Sequence, residues 1–160
     1  MHSKHDAVEV VKKWLQEEEY DDITSIPNEN TDYNFRITKM NMVMNVMFHK
    51  RSEDSLIIAG NLTFSPQEQA MLRYTITKRE LLFDIEMLCT QLNLEFSMNP
   101  AKDKDKGEYY SLEDIGLSKT LYFDGLTKQS FFDSLNAIFN CLRLIISKFL
   151  MLGQTGSTEQ

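Results

Sequence analysis

Between residues 6 and 19 the apolar positions are Ala7, Val8, Val11, Trp14 and Leu15. Steps of three and four put these side chains on one face of a helix, so the pattern predicts an amphipathic helix. The period then changes. In "YNFRI", Tyr33, Phe35 and Ile37 alternate with Asn34 and Arg36, which predicts a strand with one apolar face. "NMVMNVMFH" places Met42, Met44, Val46 and Phe48 on one side, with Val43 and Met47 joining from the other. A strand apolar on both faces is expected to be central or covered twice. "SLIIAGNLTF" makes a third strand carrying Leu56, Ile58, Leu62 and Phe64, and Gly60 within it suggests a bulge or a close approach. Short polar connections make these three an antiparallel meander.

Helical spacing returns after Phe64. Ser65, Pro66 and Glu68 fill the N-cap, N1 and N3 positions of a capping box, and Thr77 with Glu80 repeats the device. Residues 66–93 therefore read as a short helix, a break near residues 74–76 and a longer helix. The longer helix buries Leu81, Leu82, Ile85, Leu88, Cys89 and Leu92. "LEFSM" reads as a fourth strand, "NPAKDKDKGE" as a charged loop and "SKTLYFDG" as the end of a fifth strand. In "LYFDGLTKQSFFDSL" the Asp124–Gly125 pair turns strand into helix, and Gly125 supplies a permissive backbone. Thr127 is the N-cap of the helix that follows, with Leu126 and Phe131 as a hydrophobic staple. That helix runs to about Leu152, and residues 153–160 form a disordered tail.

The element order α-βββ-α-ββ-α makes this an α+β fold, a five-stranded antiparallel sheet packed with helices, within one domain over residues 1–152. The last helix is the strongest pointer to association. Asp133, Asn136, Asn140, Arg143 and Ser147 form a narrow polar stripe, and nearly everything else on the helix is apolar. One sheet contact uses an apolar stripe somewhat over 100° wide. The surplus flank, Ala137, Cys141, Leu144 and Met151, is the candidate dimer interface, unless the middle helix covers it within the same chain. The thioether-rich second strand, Met42, Met44, Val46 and Phe48, is the candidate protein-binding surface, with core filling as the plainer alternative.

Composition narrows the chemistry. The 160 residues carry a formal net charge of -7, and basic residues occur only as scattered pairs beside acids, which disfavours nucleic acid and anionic lipid as partners. No apolar run spans a membrane and no secretory leader is visible, so a cytoplasmic location is expected. The two cysteines, Cys89 and Cys141, sit in helical apolar stretches and read as buried, reduced small hydrophobes. Asp103, Asp105, Gly107, Tyr109, Ser111 and Asp114 fall in a calcium-loop register, but Glu108 stands where Gly is needed and Lys102, Lys104 and Lys106 cancel the charge. His2, His5 and Asp6 lie on a fraying terminus that cannot preorganise a metal, and His49 has no ligand set around it. No nucleophile elbow, phosphate loop or dinucleotide fingerprint appears, so no catalytic residue and no cofactor is assigned. Asp124 in particular is a turn residue.

Four stretches, "VKKWLQEEEY", "DYNFRI", "LTFSPQEQ" and above all "LYFDGLTKQSFFDSL", resemble an uncharacterised, mainly archaeal domain-of-unknown-function family over residues 8–152. The element order is also similar to the type III secretion chaperone-like fold and its YbjN-type relatives. That resemblance implies a homodimer that binds extended partner segments without cofactors, and it carries no catalytic residue. The expected function is thus a non-catalytic protein-binding or chaperone-like module. The alternatives are an enzyme or small-ligand protein with a site built from dispersed residues, or a structural subunit of a larger complex.

Overall fold

The computed structural model describes residues 3–20, 23–26, 28–40, 42–73, 78–102 and 109–155. Four helices, α1 (Lys4–Glu17), α2 (Pro66–Arg73), α3 (Lys78–Gln91) and α4 (Lys128–Thr155), accompany an antiparallel sheet of β1 (Thr24–Ser25), β2 (Thr31–Lys39), β3 (Met42–His49), β4 (Ser55–Thr63), β5 (Glu95–Lys102) and β6 (Tyr109–Tyr122). The strand order is β1-β2-β3-β4-β6-β5. The α+β class and the meander are as expected, but the sheet has six strands where five were read. The extra one, β1, is two residues long and pairs Thr24 with Arg36 and Ser25 with Phe35. Two residues cannot display an alternation, so the pattern could not announce it.

The chain forms two compact units, each drawing on both halves of the sequence: Met1–Gly60 with Ser118–Phe139, and Asn61–Leu117 with Asn140–Gln160. In the first unit Ala7, Val8, Val11 and Leu15 of α1 are buried, as are Phe35 and Ile37 of β2, Met44, Val46 and Phe48 of β3, and Leu56 and Ile58 of β4. Phe131, Leu135 and Ile138 bury the opening turns of α4, and Trp14 packs its ring 6.0 Å from that of Phe131. Phe48 is the hub, with Tyr33 and Phe35 edge-on and Phe123 tilted across it at 6.1 Å. Gly60 stands in regular register opposite Met44, while the bulge lies between Thr31 and Tyr33. Gly60 is therefore not a bulge residue.

The acidic end of α1 does not simply fray into solvent. Lys128, in the first turn of α4, reaches Glu17 at 3.0 Å and Glu18 at 2.8 Å. The Lys128 partner lowers the Glu17 carboxyl, and the Glu18 and Glu17 carboxylates raise the Lys128 ammonium. Ahead of α4, Thr127 caps the helix through the Ser130 amide, and Leu126 and Phe131 are both buried, as the staple requires. Asp124 takes its own turn bond, its Oδ1 accepting from the Gly125 amide at 2.8 Å. The turn is a short 3-10 segment, Phe123–Gly125, which makes no demand for a left-handed residue.

The second unit buries Phe64, Ile85, Cys89, Leu94, Ile115, Leu117, Cys141, Leu142 and Ile145. Phe64 and Phe149 bring their rings to 4.7 Å. The capping box at Ser65 is complete. The Ser65 amide donates to Glu68 Oε2 at 2.6 Å and the Glu68 amide donates to Ser65 Oγ at 3.3 Å. The second box at Thr77 and the helix break lie outside the described residues. α4 continues through Gly153 to Thr155, three residues past the expected end.

Candidate interaction surface

The residues singled out in the sequence separate on folding. Met44, Val46 and Phe48 are fully buried in the first unit, and Met42 is half-buried at the strand end. They are core rather than a surface, because the alternation of β3 turns these side chains to the buried face, where Phe48 meets Tyr33, Phe35 and Phe123. The opposite face, with Val43, Asn45 and Met47, is half-buried. Along α4 the polar stripe Asp133, Asn136, Asn140, Arg143 and Ser147 is exposed as expected. Of the candidate dimer residues, Cys141 is fully buried and lies against Cys89 of α3, so the middle helix covers that position. Ala137 is half-buried, whereas Leu144 is 48% and Met151 67% exposed.

The first unit holds an open cleft of about 690 Å³ lined by Glu18, Tyr20, Lys39, Lys128, Phe132 and Asn136 among others. Tyr20 and Phe132 stack on one wall at 6.3 Å. Lys39 points its ammonium at the rings of Tyr20 and Phe139, 5.8 and 5.1 Å from their centroids, a cation–π arrangement. Its hydrogen bonds, to Tyr20 Oη at 3.5 Å and Asn136 Oδ1 at 3.4 Å, are long. Lys128 is already matched by two carboxylates, but Lys39 has no carboxylate partner among the described residues. The cleft thus sets two lysines against aromatic rings, Lys39 and, 5.9 Å from the Phe132 centroid, the carboxylate-paired Lys128.

Of the calcium register, residues 103–108 lie outside the described residues. Asp114 is engaged by Asn99, whose amide nitrogen donates to both carboxylate oxygens. Among the described residues no group of three or more His, Cys, Asp or Glu side chains could hold a metal ion. His2 is also outside the described residues, and His5 is exposed on α1.

The second unit exposes Phe83, Met87, Met98, Leu144 and Met151 among its described residues. Two contacts fix how α3 and α4 run. Cys89 meets Cys141 at 3.7 Å, and Asp84 meets Lys148 at 2.7 Å. Rising numbers on one helix match falling numbers on the other, so the helices are antiparallel. By the same register Met87 is level with Leu144, and Phe83 is level with the turn before Met151. At about 100° per residue, Leu144 and Met151 lie within about 60° of Lys148, and Met87 lies about 60° from Asp84. Phe83 lies about 40° beyond Met87 on the same side of α3, away from the buried Ile85 and Cys89. Phe83 is 62% exposed and Met87 44%, so α3 as well as α4, with Leu144 and Met151, leaves large apolar side chains in solvent. Sequence periodicity missed the α3 residues. Phe83 and Met87 stand among the apolar residues of a helix whose buried side is Ile85 and Cys89, and only the fold shows which side is covered.

Comparison with known proteins adds a family and a fold. A family model described as "Uncharacterized conserved protein (DUF2299)" matches residues 7–149. No curated protein matches the chain. Among solved structures, an uncharacterised protein from Methanothermobacter thermautotrophicus superposes with a TM-score of 0.76 at 20% identity, over 89% of this chain and 96% of that one. At that identity the likeness speaks for the fold alone.

Proposed function

Since the chain belongs to the DUF2299 family of uncharacterised conserved proteins, we propose its function from its surface: a non-catalytic protein-interaction module that works as a homodimer. Two copies meet through the outer face of α3 and α4. The observation that carries this reading is the exposure of Phe83, Met87, Leu144 and Met151. Together these four side chains expose on the order of 400 Å², the scale of the largest apolar patches on monomers, which are often functional. Doubled by symmetry they supply about 800 Å², the apolar half of a standard-size interface.

A second copy is the occupant a two-fold axis allows, because it brings the same apolar residues, Met87 and Leu144 among them, to face one another. A chaperone-like role in the cytoplasm, the one implied by the secretion-chaperone resemblance, is compatible with such a dimer. No helix among the described residues is long and apolar enough to cross a membrane.

Sedimentation equilibrium at micromolar concentration tests the reading. The expected mass is twice 18.7 kDa, falling to 18.7 kDa in Met87→Glu and Leu144→Arg variants whose circular dichroism is unchanged. A monomeric parent chain would falsify it. The cleft beside Lys39 favours a second reading, a small-ligand protein. It would be supported by saturable chemical-shift changes at Lys39 and Asn136 on titration with inorganic phosphate, abolished in Lys39→Met.

A further inference from the structure

We infer that Cys89 and Cys141 are an oxidisable dithiol, a modification site at which a disulfide forms between α3 and α4. The sequence reading makes the two cysteines inert core residues. The fold instead brings them together from positions 52 residues apart, Sγ to Sγ at 3.7 Å. Both are buried, at 1% and 0% exposure, on antiparallel helices held in register by the Asp84–Lys148 ion pair. A disulfide needs the sulfurs at about 2.0 Å, so closure is under about 2 Å, the scale of a χ1 adjustment with a small helix shift.

The two thiols are not equivalent. The hydrogen bond from Cys141 lowers the Cys89 thiol, while that same contact and burial raise the Cys141 thiol. Cys89, next to the C-terminal end of α3, is the attacking sulfur. It has the shorter path to solvent. It lies two residues from the end of α3 at Gln91, so opening the last helical turn uncovers it without disturbing the strands.

The oxidant is a low-molecular-weight disulfide. The Cys89 thiolate attacks one of its sulfurs, forming a mixed disulfide and expelling one small thiolate. Cys141, giving up its proton, then attacks the Cys89 sulfur and expels the second small thiolate. The protein loses two electrons and two protons, and the small disulfide becomes two thiols. Both cysteines belong to one chain beneath the outer face, so this inference stands whether or not that face dimerises.

The test uses the full, reduced chain equilibrated with glutathione disulfide, then denatured and titrated for free thiols. Expected are loss of both thiols, a peptide map linking Cys89 to Cys141, and no covalent dimer on a non-reducing gel. The thermal midpoint should rise by about 10 °C, as for a bridge closing a loop of this length, and return on adding dithiothreitol. Cys141→Ser should stop at the mixed disulfide, whereas Cys89→Ser should keep its Cys141 thiol free; alanine replaces serine if either fails to fold. Two free thiols after equilibration, and again after refolding in the same buffer, would overturn the inference. So would a persistent mixed disulfide in the parent chain, a link between chains, or a bridge that lowers the midpoint.

Discussion

Met40 shows how a single residue can work against its position. It follows β2 at the β2–β3 hairpin, where Lys39 pairs with Met42. Its φ is 49°, in the left-handed region, and its side chain is 72% exposed. A left-handed conformation costs an ordinary L-residue roughly 1–2 kcal/mol, and asparagine tolerates it better. Met40→Asn is therefore expected to raise stability by about 0.5–1 kcal/mol, read as a higher urea midpoint at unchanged slope. The strand that follows, read from its methionines as a candidate binding surface, includes the fully buried Met44. Met47, on the opposite face, is half-buried.

At the scale of elements, the start of α2 is held by side chains rather than by buried area. The Glu68 carboxylate is lowered by its hydrogen bonds from Ser65. A carboxylate lowered in the folded state contributes stability above its unfolded value of about 4.5 and loses it as pH falls through the lower folded value. Glu68→Ala should thus cost about 0.5–1 kcal/mol at pH 7 and close to nothing near pH 2, in paired urea titrations. An equal cost at both pH values would show that Glu68 acts through something other than its charge. This cap was legible in the sequence because its chemistry is local, set by residues three apart. β1 was not legible, because a two-residue strand exists only through its partner Arg36 and Phe35.

For the whole molecule, the proposed dimer makes a prediction that does not depend on any substitution. Association stabilises the folded chain by mass action, so the thermal midpoint should rise with protein concentration. The Leu144→Arg variant should show a midpoint independent of concentration. A parent midpoint that is flat across a hundredfold range would tell against association through any face. The apolar surplus of α4 was visible in the sequence, but its division between covered and exposed was not. Cys141 went to α3, while Leu144 and Met151, like Phe83 and Met87, stayed in solvent.

The chain by itself determined the class of fold, the meander, the capped helix starts and the turn at Asp124, since these rest on periodicity and on bonds between near neighbours. Tertiary structure alone decided which apolar faces are core, that Lys128 neutralises the acidic end of α1, and that two distant cysteines come to 3.7 Å. An apolar side chain reads the same in the sequence whether it packs inside or waits for a partner, because burial depends on what other segments arrive to cover it.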